Sequence, residues 1–370
     1  MRSFVWAAAA SLAAPAWAEA PKVVTDIAPV HSLVATVMQG VGEPTMLIDP
    51  GASPHGYAMR PSQARALSNA DVVFWIGEGL TPWLEQPLES LAGDAESVEL
   101  LELDASIKLE FREGATFEGH DHDEPHGHEE DEHEEHAEHD DHEGHDHEEH
   151  EEHGHDDHDE HEERDEHGHD DHDEHDENGH DDHEKHAEHD DHDDHSDHAH
   201  EGVDPHGWLD PENAKVWLQA IAKELSHLDP ENAQTYAENA AKGTADLDQL
   251  IADLSADLEP AHDLHFVVFH DAYHYFENRF GLAATGAISL GDASDPSVAR
   301  VAAVREAVAD AGVTCAFAEP QFNPGLIGAV AETGVKVAMI DPLGVGLELG
   351  PDLYGQTLRN LSANILSCLD

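Results

Sequence analysis

The sequence predicts an α/β fold of two parallel-sheet lobes joined by one long helix, with a disordered acidic, histidine-rich insertion. Three observations predict it. Short apolar runs alternate with amphipathic segments on both flanks of the chain, the pattern of strands and helices in a parallel sheet. A charged, Ala-rich segment from Asp229 to about Leu258 keeps a helical period over a length that suits a rod between lobes. Between Glu118 and Glu201 the apolar pattern vanishes. The organisation that follows is a leader at 1–18, a first lobe at 19–117 completed by 202–228, the insertion at 118–201, the linking helix at 229–259 and a second lobe at 260–370.

In the first lobe, Val23-Val24-Thr25-Asp26-Ile27 reads as a buried strand, and Val30 to Gln39 as a helix stopped by Gly40 and Gly42. Met46 to Asp49 is a second strand that runs into a loop from Pro50 to Gly56. Pro61 opens a short helix within Arg60 to Ala70. Val72 to Ile76 is a third strand, followed by a Gly77-Glu-Gly79 turn, a helix over Pro82 to Leu91 and a fourth strand over Ser97 to Leu103.

Beyond the insertion, Asp210-Pro211-Glu212 carries the cap and the first-turn proline of a helix start. Asp229-Pro230-Glu231 repeats the signal and opens the long helix, whose apolar positions include Tyr236, Ala240, Leu247, Leu250 and Leu254. Gly243 is its weak point. In the second lobe, strands are expected over Phe266 to Phe269, Ala283 to Ser289, Thr314 to Ala318 and Lys336 to Ile340. Helices are expected over Ala272 to Phe280, Pro296 to Ala311, Pro324 to Thr333 and Leu353 to Cys368.

The N-terminus has Arg2, a short apolar stretch and an Ala16-Trp17-Ala18 ending, which describe a cleavable secretory signal peptide and an exported compartment. No later stretch approaches the about 20 apolar residues of a spanning helix. The two cysteines, Cys315 and Cys368, read most simply as a disulfide in such a compartment. That bridge contributes about 4 kcal/mol in the chain-entropy picture. Zinc ligation by both is the alternative, without the CxxC spacing that would favour it.

The insertion holds 27 of the 35 histidines and 43 of the 83 acidic residues, against two bases, Arg164 and Lys185. It therefore accounts for 41 of the 67 net negative charges and leaves 26 on the rest, so nucleic acid and anionic membrane surfaces are poor partners and cations good ones. Without aromatics and almost without aliphatics, it cannot offset the entropy of ordering. His153–His161 recurs verbatim as His167–His175, a slipped low-complexity repeat. His-rich tracts of this kind bind metals, and imidazole binds zinc only when neutral. Flanking carboxylates favour the charged imidazolium, so the run is expected to hold many zinc ions weakly near neutral pH and release them on acidification.

Three of the eight other histidines, His55, His206 and His270, stand where a strand or the insertion ends, and Asp341 follows a strand directly. Ligands of open α/β sheets bind beyond the carboxyl ends of the strands. Contributed by the two lobes, these residues could meet in the cleft between them. Three neutral imidazoles and a carboxylate suit tetrahedral Zn2+.

Five blocks, in order, make the chain recognisable. Gly51-Ala-Ser-Pro-His55-Gly-Tyr-Ala-Met-Arg-Pro-Ser62, Asp204-Pro-His206-Gly-Trp-Leu-Asp-Pro211 and Phe269-His270-Asp-Ala-Tyr-His-Tyr-Phe276 resemble the three metal-ligand loops of the ZnuA-type zinc-binding proteins of ABC importers. Ala318-Glu-Pro-Gln-Phe322 and Ile340-Asp341-Pro-Leu-Gly344 are similar to two further blocks. The resemblance runs from Val23 to Cys368 and implies metal in the interlobe cleft, with a long helix that limits lobe closure. It implies His55, His206 and His270 as imidazole ligands, with Asp341 or a water completing the shell. A histidine at the third position argues for zinc over manganese, for which relatives tend to have a carboxylate. The Cys315/Cys368 pair matches a disulfide of some zinc members. Pro54 stands where some relatives carry an acidic alternative ligand, which shifts weight to Asp341 or water. His274 is a spare ligand or a surface histidine, and Glu319 is able to orient a ligand histidine through its free ring nitrogen.

The resemblance implies a monomeric periplasmic component that captures Zn2+ as transported ligand and delivers it to an inner-membrane ABC permease. The histidine run serves as capture or buffer. An exported zinc storage protein is the alternative. A zinc hydrolase is a further one, with Glu319 or Asp341 as base, but the chain has no HExxH or GxSxG.

Overall fold

The computed structural model describes residues 20–112, 117, 202–289, 302, 306, 312–320 and 334–369. The expected leader, the histidine run, all of the helix expected over 324–333 and nearly all of that over 296–311 lie outside the described residues.

The first lobe contains β1 (Val23–Thr25), α1 (Ala28–Val37), β2 (Thr45–Met46), α2 (Pro61–Leu67), β3 (Val72–Trp75), α3 (Glu85–Leu91) and β4 (Glu96–Glu99). Its four strands are parallel and ordered β2-β1-β3-β4. Then come α4 (Pro211–Leu228) and the long α5 (Ala233–Leu258). The second lobe contains β5 (Phe266–His270), α6 (His274–Phe280), β6 (Ala284–Ser289), β7 (Cys315–Ala318), β8 (Lys336–Met339) and the closing α7 (Leu353–Leu366). Its sheet is parallel, with order β6-β5-β7-β8. The two sheets thus share one topology: the first strand of each lies inside, covered on both sides by chain. Burial of inner strands accounts for the unbroken apolar runs Val72–Trp75 on β3 and Phe266–Phe269 on β5.

Local chemistry sets the ends. β1 stops at Thr25 because the Asp26 carboxylate accepts the Ile27 N–H at 2.7 Å and reaches across to the Ile76 N–H at 2.8 Å, and Pro29 then starts α1. β4 is shorter than the Ser97–Leu103 expected. Leu100 and Leu101 are buried, but the chain turns there and the Ser106 hydroxyl donates to the Leu100 carbonyl. The Pro82–Leu91 segment divides into a 3-10 turn (Pro82–Leu84) and α3. Asp210 caps α4 as predicted, accepting the Glu212 N–H at 2.9 Å. Asp229 does not cap α5. It closes α4, and its carboxylate is taken up by Asn232 Nδ2 at 2.7 Å and the Tyr236 hydroxyl at 2.9 Å, so α5 begins only at Ala233. The disulfide joins Cys315 on β7 to Cys368 beyond α7.

The rod α5 is continuous through Gly243. Its buried stripe, Tyr236, Ala240, Gly243, Leu247, Leu250, Leu254 and Leu258, follows the three-four spacing of one helix face. Each buried leucine contributes about 2 kcal/mol. A single apolar cluster runs from Val30 on α1 through Trp217 on α4 and Leu250 on α5 to Phe266 on β5 and Leu361 on α7. The lobes therefore share a core rather than meeting across a wet hinge.

Gly243 is a close-approach site, not a defect: a Cβ there would lie 2.9 Å from Leu218 Cδ1 and 3.0 Å from Thr36 Cγ2. Gly243→Val is expected to cost about 1–3 kcal/mol through overpacking where α1, α4 and α5 meet. Urea unfolding checks this, and an unchanged midpoint would show that the three helices do not need the gap.

Candidate metal site

Each predicted histidine is delivered by a different local device. His55 lies in the loop after β2, where Gly51 takes a left-handed φ of 85° and Trp83 Nε1 donates to the Pro54 carbonyl at 2.7 Å. His206 precedes a 3-10 turn (Gly207–Leu209), and the Asn213 side chain on α4 ties the Gly207 carbonyl at 3.0 Å to the Ile107 backbone. His270 is the last residue of β5, the inner strand of its sheet.

The three rings converge. Their centroids are 5.5 Å (His55 to His206), 5.7 Å (His55 to His270) and 4.8 Å (His206 to His270) apart, with steep interplanar angles. One nitrogen from each lies within 4.8 Å of the others. His206 and His270 are only 2% and 5% exposed, and His55 is half-buried. They line a cavity of about 20 Å³ with Ser53, Pro54 and Trp208 from the first lobe and Glu319, Pro342 and Leu343 from the second. That volume is enough for one ion or water.

Asp204 governs the chemistry of His206. Its Oδ1 accepts the His206 backbone N–H at 3.0 Å and stands 2.6 Å from His206 Nδ1. With Asp204 ionised, Nδ1 donates to that oxygen and Nε2 keeps its lone pair. His206 Nε2 is buried with no hydrogen-bond partner in the protein, a donor atom that burial leaves for a cation. Burial first, and then the nearby charge of His270, hold the His206 pKa well below its usual 6.5. It is therefore neutral, and competent to ligate, at physiological pH. Burial pushes the Asp204 pKa up to about 7, against the His206 N–H and the surrounding cations.

The structure does not bring Asp341 into the three-residue cluster. Its Oδ1 accepts the Leu343 N–H at 3.0 Å and its Oδ2 the Val345 N–H, so it organises its own loop. Glu319 is buried, and its Oε1 stands 3.8 Å from His270 Nδ1, longer than a hydrogen bond but on the side expected of an orienting group. Burial raises its pKa. His274 is neither a cluster member nor a surface residue: it is half-buried, with Nδ1 3.9 Å from Asp204 Oδ2. Sequence reasoning missed Asp204. Its signal was present, since an Asp two residues before a histidine forms the turn in which a carboxylate takes the second N–H.

The convergence of the three rings coincides with a family match. The model of the zinc-uptake complex component A, periplasmic (ZnuA), matches residues 23–368. The chain belongs to the ZnuA family. High-affinity zinc uptake system protein ZnuA of Paracoccus denitrificans is 42% identical over 371 residues, covering 99% of this chain and 98% of that one. ZnuA of Brucella abortus (strain 2308) is 40% identical, covering 94% and 91%. A ZnuA crystal structure aligns with a TM-score of 0.64 at 20% identity, covering 95% of this chain and 100% of that one. A zinc-bound ZnuA deletion mutant aligns at 0.62 and 19%, covering 94% and 96%. At such identities the two structures show the shared fold. Among the described residues no helix is long and apolar enough to cross a membrane.

Removing the carboxylate that orients His206 is expected to weaken the ZnuA-type site. Asp204→Ala should lower Zn2+ affinity about 10–100-fold, the usual effect of losing a ligand's outer partner. Competition with a calibrated chelator on protein lacking residues 118–201 reads this directly; unchanged affinity would remove Asp204 from the site.

Proposed function

We propose that His55, His206 and His270 bind one Zn2+ in the cleft, with Asp341 or a water completing the shell, and that this chain delivers the ion to an inner-membrane ABC permease. The observation that carries the reading is the convergence of three imidazoles, two of them buried and drawn from opposite lobes, around a cavity the size of an ion. As a ZnuA-family protein the chain is the zinc-binding component of an uptake system and not an enzyme. The metal is cargo. The relatives are named for high-affinity zinc uptake, and the family description places them in the periplasm. Export after cleavage near Ala18, and a monomeric carrier, complete the reading.

The chemistry fits zinc capture. A neutral imidazole set supplies borderline-soft nitrogen ligands without net charge, which favours Zn2+ over Mg2+ or Ca2+. The histidine run, inserted directly before the His206 block, supplies a second and weaker population of imidazoles that captures or buffers the ion.

The deciding test is a Zn2+ competition titration on mature protein, on protein lacking residues 118–201, and on His55→Ala in that shortened background. One tight site should survive the deletion and vanish with His55. If the deletion removes all appreciable binding, the cleft reading falls and the run is a storage tract on an α/β scaffold.

Acidification should empty the two populations in order. Protons compete for imidazole, and the His206 pKa lies below 6.5, so the cleft keeps its ligand deprotonated as the pH falls. The run's histidines, beside carboxylates, take up protons at higher pH. Zinc counted after dialysis at stepwise lower pH should leave the run first. Loss from the cleft first would contradict the buffer role.

A further inference from the structure

The two ends of the insertion are built into the metal site. Glu110 and Val203 form an antiparallel bridge, the Phe111 N–H donates to the Gly202 carbonyl at 3.1 Å, and the Asp204 N–H donates to the Leu109 carbonyl at 2.8 Å. This two-stranded root is clamped from the other lobe. The hydroxyl of Tyr275, on α6, donates to the Asp204 carbonyl and accepts the Leu109 N–H, each at 2.9 Å. One side chain thus holds both strands.

A second grip lies three residues beyond Leu109. Arg112 is 13% exposed and forks between two nearly buried carboxylates of the second lobe. Its Nε and Nη2 donate to Asp271, and its Nη1 donates to Glu277 at 2.7 Å. Glu277 also accepts the Ala284 N–H at 2.8 Å, which ties α6 to β6. The Phe117 ring covers the guanidinium at 3.9 Å, and its N–H donates to the Thr285 carbonyl at 2.9 Å. Asp271 follows His270 directly, and Asp204 holds the ring of His206. Both grips therefore reach from the second lobe to the root, and each ends one bond or one residue from a histidine of the cluster, His206 of the first lobe and His270 of the second.

We infer that Arg112 is a positioning residue for zinc binding. Together with Tyr275 it makes the root of the insertion a strap that fixes the spacing of His206 and His270, independently of any metal the histidine run holds. A planar five-donor fork suits this task because it grips two carboxylates at fixed angles, which a point charge does not. The inference rests on the cleft being the zinc site. Its consequence is an asymmetry within one insertion: the histidine run serves supply, while its root serves retention.

The test is zinc release from the full mature chain to an excess of chelator, followed by stopped flow. The parent should show a fast phase from the run and a slow phase that His55→Ala abolishes. Arg112→Ala should speed the slow phase about tenfold, as expected for loss of an outer partner, and leave the fast phase unchanged in amplitude. Arg112→Lys, which keeps the charge but loses the planar fork, should fall between. A slow phase at the parent rate in Arg112→Ala, even with a lowered melting temperature, would make the residue merely structural and overturn the inference. If Arg112→Ala does not fold, Arg112→Lys and Tyr275→Phe decide, and parental release rates in both overturn it. A parent with no slow phase removable through His55 overturns the cleft reading itself, and this inference with it.

Discussion

The hydrogen bond from His206 Nδ1 to Asp204, at 2.6 Å, is the interaction on which the site depends. Three imidazoles within 6 Å of one another cannot all be charged in a buried pocket, because desolvation and mutual repulsion both oppose it. The fold resolves this by keeping His206 neutral and spending its one proton on Asp204. Everything that carries Asp204 is accordingly rigid. Its own N–H and carbonyl are tied to Leu109 and Tyr275, and the residue is 1% exposed. The cost of burying a carboxylate there is offset by two N–H donors and by the Arg112 charge nearby, and its raised pKa reports what remains of that cost.

Motion around the site is constrained by the same economy. The lobes are joined by hydrogen bonds as well as by their shared core. Trp208 Nε1 donates to the Pro342 carbonyl at 2.9 Å, and the Tyr354 hydroxyl donates to the Trp208 carbonyl at 2.7 Å. Arg279 grips the Asp210 carboxylate through Nε and Nη2, both at 2.8 Å. Parting the lobes would break these contacts, at about 1 kcal/mol or more each, and would also expose apolar surface along α5. Moving the His55 loop disturbs far less. That loop is half-buried and is held to the Pro82–Leu84 turn by the bond from Trp83 Nε1 to the Pro54 carbonyl. Exchange of an ion through the His55 side is therefore the less costly path.

Much of this was legible in the sequence because its signals were local or periodic. Apolar runs marked most strands of both sheets, and the three-four spacing from Tyr236 to Leu258 marked the rod. The cluster histidines were legible because His55 lies in the loop after β2, His206 just after the insertion and His270 at the end of β5. What escaped was non-local. Asp229 looks like a second helix cap in one dimension, but Asn232 and Tyr236 both donate to its Oδ2. Gly243 reads as a weak point until Thr36 and Leu218 come to lie against it. Arg112 sits among charged neighbours next to a highly acidic tract. Nothing in that neighbourhood marks it as the partner of Asp271 and Glu277, more than 150 residues away. Asp341 stands after a strand as expected, but its oxygens are engaged with the backbone of its own loop.

The division between a rigid cleft and a histidine-rich tract follows from what each can hold. A tract of hydrophilic residues cannot preorganise a ligand set, so every ion it binds bears the entropy of ordering its ligands. A site built on β5 and on a clamped turn has borne that cost during folding and can spend its ligand energy on retention. The reverse advantage belongs to the tract, which offers many imidazoles at once and enlarges the target that an ion meets. Neither property can be had from the other's construction. On the proposed reading, a chain that places both on one polypeptide, joined by a root whose two strands meet Asp204 and Asp271, would keep fast, weak capture beside slow, tight retention without asking one set of histidines to do both.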